Sequence, residues 1–174
     1  MIKKTYLQES FKNGKLMRWA DSCMPLRFYI APLRFYSKKG EEYKYKHLVI
    51  RALDTWQKVS RGKVTFAIVN SLNESQINLD WKRVERKALG HCYFHFDALS
   101  RLYSAEVNIG ISDGIIHKDY MSEDEVYHTI LHELGHALGL GHSPFESDIM
   151  YTPHKYGVVS LSNHDKLTLQ WLYK

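Results

Sequence analysis

The chain has 174 residues, of which 44% are hydrophobic and 13% aromatic, so it suits one globular domain and is not a disordered protein. No stretch approaches ~18 uninterrupted apolar residues, and no membrane span is expected. The net charge is +5, but Lys and Arg are interleaved with Glu and Asp without a recognition motif, so we expect a solvated surface and no nucleic-acid partner.

The start of the chain is polar and mixed, and we expect an N-terminal arm at residues 1–24 followed by one domain at residues 25–174. Lys3 and Lys4 are not followed by the apolar segment of a signal peptide. Two alternatives are left open: a protein that acts inside the cell, or a domain excised from a longer secreted precursor. Cys23 and Cys92 are expected to be free thiols, although two cysteines are too few to fix the compartment.

Strand and helix patterns alternate along the middle of the chain, which predicts an α+β domain. Apolar residues recur at helical spacing over residues 41–59, with Gly62 after the end of the pattern. Branched and aromatic residues, or alternation of apolar and polar residues, predict strands at residues 26–31, 64–69, 76–82, 90–96 and 105–111. A strand, a helix and another strand in succession imply a parallel, right-handed crossover.

Two more helices are predicted in the last third of the chain. Ser122 and Glu125 have the spacing of a capping box, and apolar residues at helical spacing follow, so a long helix is expected to begin there. Residues 162–172 predict a short closing helix with Ser162 as its N-cap.

The stretch HELGHALGLGH has the pattern H-E-x-x-H-x-x-G-x-x-H. On a helix, His132 and His136 lie one turn apart and point the same way. An unbroken helix would carry His142 away from them, but Gly139 can adopt a positive φ, end the helix and return the chain to the same ion. Three neutral histidines leave the fourth position of a zinc ion open for water, and Glu133 is then placed as general base to that water.

The histidines of the chain allow other interpretations. The three could be unrelated residues beside a glycine turn, but the glycine and the third histidine argue against this. His128 is interpreted as a flanking histidine, because catalysis needs the fourth zinc position open. His91, His95 and Asp97 are interpreted as surface residues and not as a second metal site.

The motif continues with Ser143, and Met150 follows eight positions beyond His142 within SDIMY. In these features the chain resembles the metzincin zinc endopeptidases and, among them, the matrixin branch, also called matrix-metalloproteinase-like or peptidase M10. The resemblance covers residues 25–173. It implies a zincin-like catalytic domain with a twisted, mostly parallel five-stranded sheet, an antiparallel edge strand above the active-site cleft, two long helices, a Met-turn and a short C-terminal helix. It also implies that Met150 lies beneath one catalytic Zn²⁺ without coordinating it; no structural zinc or calcium is predicted.

Beyond Met150 the chain matches the family pattern only at some positions. It assigns Pro153 and Tyr156 to the wall of the pocket that accepts the side chain after the scissile bond. Thr152 stands where the family usually has proline, so the specificity of this pocket is left open. Matrixins carry adjacent aspartates near the start of the last helix, one tying the activated N-terminus and one supporting the methionine turn. Only Asp165 is present here, after His164, and the activation tie is expected to be absent.

The sequence therefore predicts a zinc metalloendopeptidase that hydrolyses internal peptide bonds through a water activated by Glu133 on zinc. His132, His136 and His142 are the expected ligands. The expected partners are protein or peptide substrates, the expected state is a monomer, and family resemblance alone suggests an extracellular location. Two other functions are left open: a module that holds zinc and a peptide without turnover, and hydrolysis of a non-peptide amide.

Overall fold

The computed structural model of the chain describes residues 4–34, 41–83, 89–112 and 121–174. Short 3-10 turns separate several of its regular elements, at Leu7–Ser10, Asp21–Cys23 and Leu72–Glu74. In chain order the strands and α-helices are β1 (Phe11–Lys12), β2 (Lys15–Leu16), β3 (Leu26–Ile30), α1 (Glu41–Val59), β4 (Phe66–Ile68), β5 (Ile77–Arg83), β6 (Gly90–Phe96), β7 (Leu102–Ser112), α2 (Glu123–Ala137) and α3 (Asn163–Leu172).

The main sheet has five strands in the order β4-β3-β5-β7-β6. Strands β4, β3, β5 and β7 are parallel to their neighbours, whereas β6 runs antiparallel to β7 at one edge. Alternate residues of β5 are buried, because a strand directs successive side chains to opposite faces. This sheet confirms the predicted α+β fold, with a mostly parallel sheet and an antiparallel edge strand.

The two long helices pack on each other and anchor the later part of the chain. Helix α1 has the predicted bounds, and the indole N–H of Trp56 donates to the carbonyl oxygen of Leu131 in α2 at 3.2 Å. Helix α2 begins after Ser122, whose hydroxyl accepts a hydrogen bond from the backbone N–H of Glu125 at 3.2 Å. Helix α2 also packs against β6 and β7, so its buried residues lie between α1 and the edge of the sheet. No helix of the described ranges is long and apolar enough to cross a membrane.

Residues 4–24, which we expect to belong to an N-terminal arm, pack against the rest of the described chain. Tyr6 and Trp19 are fully buried, and the indole N–H of Trp19 donates to the carbonyl oxygen of Ala137 at 2.8 Å. Strands β1 and β2 form a hairpin around Asn13 and Gly14, which both have positive φ. Asn-Gly is the sequence signal of such a turn. The division of the chain after residue 24 stays a prediction.

The other predicted elements differ from the structure mainly at their ends. Strand β4 is three residues long, because Val64 donates its backbone N–H to the Ser60 hydroxyl instead of joining the sheet. Strand β7 begins three residues earlier than predicted, where Leu102 pairs with Phe96 of β6. Cys23 and Cys92 are free thiols, as expected.

Candidate metal site

The three histidines of the motif converge at the C-terminal end of α2. His132 and His136 lie one turn apart on the helix, and His142 reaches them from the segment that follows. One ring nitrogen of each histidine lies within 4.8 Å of the other two, and the Nε2 atoms of His136 and His142 are 3.2 Å apart. Two ligands of a tetrahedral zinc ion with Zn–N bonds of about 2.0–2.1 Å are about 3.3 Å apart. The Nε2 atoms of His136 and His142 therefore have the spacing of two ligands on one zinc ion, and a nitrogen of His132 lies within 4.8 Å of both.

Backbone carbonyl groups orient two of these rings. The Nδ1 atom of His132 lies 2.7 Å from the carbonyl oxygen of Ile149, and Nδ1 of His136 lies 2.8 Å from that of Leu140. A carbonyl oxygen only accepts hydrogen bonds, so each Nδ1 carries the proton and each Nε2 presents a lone pair. The donor set therefore fits a divalent ion that prefers imidazole, such as zinc.

Burial keeps the same two histidines neutral in the metal-free protein. It lowers the pKa of His132 to about 2 and that of His136 to about 4, and the neighbouring histidines act in the same direction. Only neutral imidazole binds a metal ion. Protons therefore do not compete with the metal for these two rings near pH 7.

Gly139 returns the chain to the site. Its φ is +104°, a left-handed conformation that L side chains rarely adopt, and it lies immediately after the C-cap Leu138. A Cβ atom at this position would lie 2.2 Å from the carbonyl oxygen of Met17, so the N-terminal segment closes over the turn. Glycine is therefore required at position 139 for two reasons: the positive φ that the sequence predicted, and the close approach of Met17.

Glu133 is buried beside the histidines, with only 4% of its surface exposed. This burial raises the pKa of its carboxyl group to about 8. Gly90, at the start of β6, packs directly on it, because a Cβ atom there would lie 2.9 Å from Glu133 Cγ and 2.5 Å from Thr129 Cγ2. A carboxyl group that gains and loses a proton close to neutral pH can act as a general base and acid.

Met150 lies beneath α2 in a turn. It is fully buried, and a Cβ atom at Gly135 would lie 2.4 Å from its Sδ atom. The backbone N–H of Ser143 donates to the carbonyl oxygen of Met150 at 2.9 Å, which joins the third-histidine segment to this turn. Met150 therefore packs under the part of the helix that carries His132 and His136.

Asp165 supports the same turn, as the resemblance implied for one of the family's aspartates. Its Oδ2 atom accepts the backbone N–H of Ile149 at 2.8 Å and that of Ser162 at 2.9 Å. Its Oδ1 atom accepts the hydroxyl of Tyr6 at 2.6 Å, a contact that we did not predict.

The two predicted pocket residues lie in different surroundings. Tyr156 is partly buried, and its ring stacks on His154 with a centroid distance of 5.6 Å and meets the edge of His128 at 5.2 Å. Pro153 is exposed. The pocket role of both residues stays a prediction.

His154 is a neighbour of the site that our sequence analysis missed. Its ring centroid lies 4.3 Å from that of His132, and its Nδ1 atom lies 2.9 Å from Nε2 of His128. Its only sequence signal was a position four residues after Met150, close behind the predicted turn.

Comparison with known proteins agrees with the resemblance seen in the motif. A protein of Heliothis virescens ascovirus 3e, named "Putative matrix metalloproteinase", is 26% identical over 160 residues, which cover 79% of this chain and 33% of that protein. A protein of the same name from Trichoplusia ni ascovirus 2c is 28% identical over 151 residues, covering 75% of this chain and 30% of that protein. The chain thus spans about a third of the length of these relatives. The family model of the matrixins, peptidase M10, matches residues 18–174, and the chain therefore belongs to the matrixin family.

Proposed function

We propose that this chain is a zinc-dependent endopeptidase that hydrolyses internal bonds of protein or peptide substrates and acts as a monomer. The observation that carries the proposal is the convergence of His132, His136 and His142 on one point beside the buried carboxyl group of Glu133. Membership of the matrixin family supports the same reaction class.

The three histidines are assigned as the metal ligands. The hydrogen bonds from Nδ1 of His132 and His136 to backbone carbonyl groups hold these rings with Nε2 directed at the site. The Lewis-acid chemistry of the reaction, which lowers the pKa of water and polarises the scissile carbonyl group, is supplied by the zinc ion when it is bound there.

Glu133 is assigned as the general base and acid. Its carboxylate accepts the proton of the attacking water and then delivers it to the nitrogen of the leaving amine. Its burial supports this role, because it raises the pKa of the carboxyl group and so makes the carboxylate a stronger base toward the proton of that water. The peptide bond breaks with addition of one water, and no covalent intermediate with the protein forms.

Strand β6 is assigned as the element that aligns the substrate. Among the strands of the described ranges it pairs with β7 alone, so its other edge can pair with the main chain of an extended peptide. Gly90 of β6 packs on Glu133, which brings this strand next to the proposed base. Pro153 and Tyr156 are assigned to the wall of the pocket for the side chain after the scissile bond, and the ring contacts of Tyr156 with His128 and His154 support its part in this wall.

The test compares wild-type chain with Glu133→Ala and His136→Ala on a quenched library of generic peptides, with and without a chelator. We expect zinc-dependent cleavage by the wild type, intact tight zinc binding without cleavage by Glu133→Ala, and loss of both the tight zinc site and cleavage by His136→Ala. His47→Ala is the matched control, since His47 is exposed on α1 and is not one of the three converging histidines.

Two outcomes would overturn the proposal. Undiminished hydrolysis by metal-loaded, contaminant-free Glu133→Ala would remove Glu133 from the mechanism. Tight zinc binding by a wild-type chain that cleaves no peptide in the library would favour a binding module instead.

A further inference from the structure

We propose that His128 and His154 form a second site for a zinc-like divalent cation, next to the first site and in competition with it for His132. One ring nitrogen of each of these three histidines lies within 4.8 Å of the other two. The described residues thus contain two groups of three histidines, and His132 belongs to both. The ion at this second site is additional to the proposed catalytic zinc ion and takes no part in the proposed reaction.

Hydrogen bonding fixes the tautomer of the new pair. The Nδ1 atom of His128 lies 2.6 Å from the carbonyl oxygen of Val158, which can only accept, so His128 carries its proton there. Its Nε2 atom therefore has a lone pair, and it accepts the Nδ1 proton of His154 at 2.9 Å. Val158 thus orients His128 in the way that Ile149 orients His132 in the first site.

A cation can replace the shared proton of this pair. The two nitrogens need to separate only from 2.9 Å to about 3.3 Å, the spacing of two ligands on a tetrahedral zinc ion. The proton on Nδ1 of His154 moves through solvent to Nε2 of the same ring, so the imidazole stays neutral and no net proton is released. Imidazole nitrogens favour Zn²⁺, Cu²⁺ and Ni²⁺ over Mg²⁺ and Ca²⁺.

The surroundings hold the pair in place. His128 is 1% exposed on α2, and the ring of Tyr156 lies parallel to that of His154 and edge-on to His128. His154 is on the loop after the methionine turn and is partly exposed, which gives a cation access from solvent.

His132 makes the two sites unequal. Its Nδ1 proton is donated to Ile149, so only Nε2 can bind metal, and it can bind one ion at a time. While the first site holds its ion, the second has only His128 and His154 with solvent completing the shell, and the two positive ions repel each other. The second ion is therefore expected only in metal excess.

A second ion should inhibit cleavage, and this part rests on the proposed function. Its ligand His154 lies 4.3 Å from His132 between ring centroids and stacks on Tyr156, so the ion and its water molecules would occupy space next to the proposed pocket wall. We expect wild-type activity to rise with the first equivalent of zinc and to fall at higher free zinc.

The experiment counts bound ions on the full chain. Metal-free protein is dialysed against buffers of increasing free zinc, and bound zinc is measured by mass spectrometry of the metal. We expect two ions in two separate steps for the wild type and for His47→Ala, but one ion for His154→Ala. His128→Gln, which keeps a donor for Val158, should also bind one ion, and thermal melting checks that each variant is folded.

The sharing of His132 has its own test. His136→Ala removes a ligand of the first site only, which frees His132 for the second. This variant should still bind one ion, more weakly than the first step of the wild type, and His136→Ala/His154→Ala should bind none. The count does not need catalysis, so it separates this proposal from the proposed function. One ion in wild type at millimolar zinc, or two ions in His154→Ala, would overturn the second site.

Discussion

The hydroxyl of Tyr6 donates a hydrogen bond of 2.6 Å to Asp165, 159 residues away in the sequence. Asp165 accepts the backbone N–H of Ile149 with its other oxygen, and the carbonyl oxygen of Ile149 accepts the Nδ1 proton of His132. A continuous chain of hydrogen bonds thus joins the N-terminal segment to a proposed zinc ligand. Burial raises the pKa of Tyr6 well above its usual value, so the phenol stays protonated and remains a donor.

Tyr6→Phe should destabilise the protein by about 1.5–3 kcal/mol, the usual worth of a hydrogen bond to a charged group, because the buried carboxylate loses a donor. Denaturant unfolding of the metal-free protein measures the change. Tyr43→Phe is the control, since Tyr43 is 65% exposed. Equal stability of the two variants would show that the contact contributes nothing.

Glu133→Gln should change how stability depends on pH in the metal-free protein. The pKa of Glu133 is raised from 4.5 to about 8, so the folded state holds a proton that the unfolded chain releases above about pH 4.5. Its stabilising contribution is complete below about pH 4.5 and is lost as the pH rises through about 8. The wild type should therefore lose up to about 1.4 kcal/mol per pH unit relative to Glu133→Gln in this window.

Thermal or denaturant unfolding between pH 5 and about 8 tests this difference, with the exposed Glu74→Gln as control. Saturating zinc should reduce the difference, because the charge of the ion stabilises the ionised carboxylate. Parallel stability curves of wild type and Glu133→Gln without metal would contradict the prediction.

Gly139→Ala should weaken both stability and zinc affinity. The left-handed backbone costs an alanine about 1–3 kcal/mol, and the contact with Met17 requires a further movement of the turn that delivers His142. Gly62→Ala is a matched control, since Gly62 also has positive φ but no atom lies within 4 Å of an added Cβ. The control should lose stability without losing zinc affinity; unchanged zinc affinity in Gly139→Ala would mean that the turn does not fix His142.

Gly90→Ala should lower the turnover rate while the zinc content is unchanged. An added methyl group would meet Thr129 and Glu133 at 2.5 Å and 2.9 Å, so either β6 or Glu133 must move. Overpacking of this kind costs about 1–3 kcal/mol of stability. Gly157→Ala adds the same methyl group where no atom lies within 4 Å and should leave turnover as it is. Equal turnover of the two variants would argue against a tight fit of β6 on Glu133.

The sequence predicted the local features of the chain, because these features depend on residues only a few positions apart. The spacing of Ser122 and Glu125 predicted the start of α2, Ser162 as an N-cap predicted the start of α3, and helical spacing predicted both ends of α1. The spacing of the histidines around Gly139 likewise follows from helix geometry and from the one residue type that tolerates positive φ.

Features that depend on contacts between residues far apart in the sequence were not predicted. Tyr6 and Trp19 lie in a polar segment, and nothing local marks them as core residues that meet Asp165 and Ala137. His154 had no ligand spacing relative to α2, because the loop after Met150 and not a helix period brings it to His132.

The sequence by itself determined the metal-binding motif, the family resemblance and most of the helices and strands, because spacing, capping and glycine conformation act within a few residues. Only the tertiary structure decided the pKa of Glu133, the hydrogen bond from Tyr6 to Asp165, and the second group of histidines. The reason is physical: burial and hydrogen bonding depend on which distant segments pack together, and that packing is a property of the whole fold.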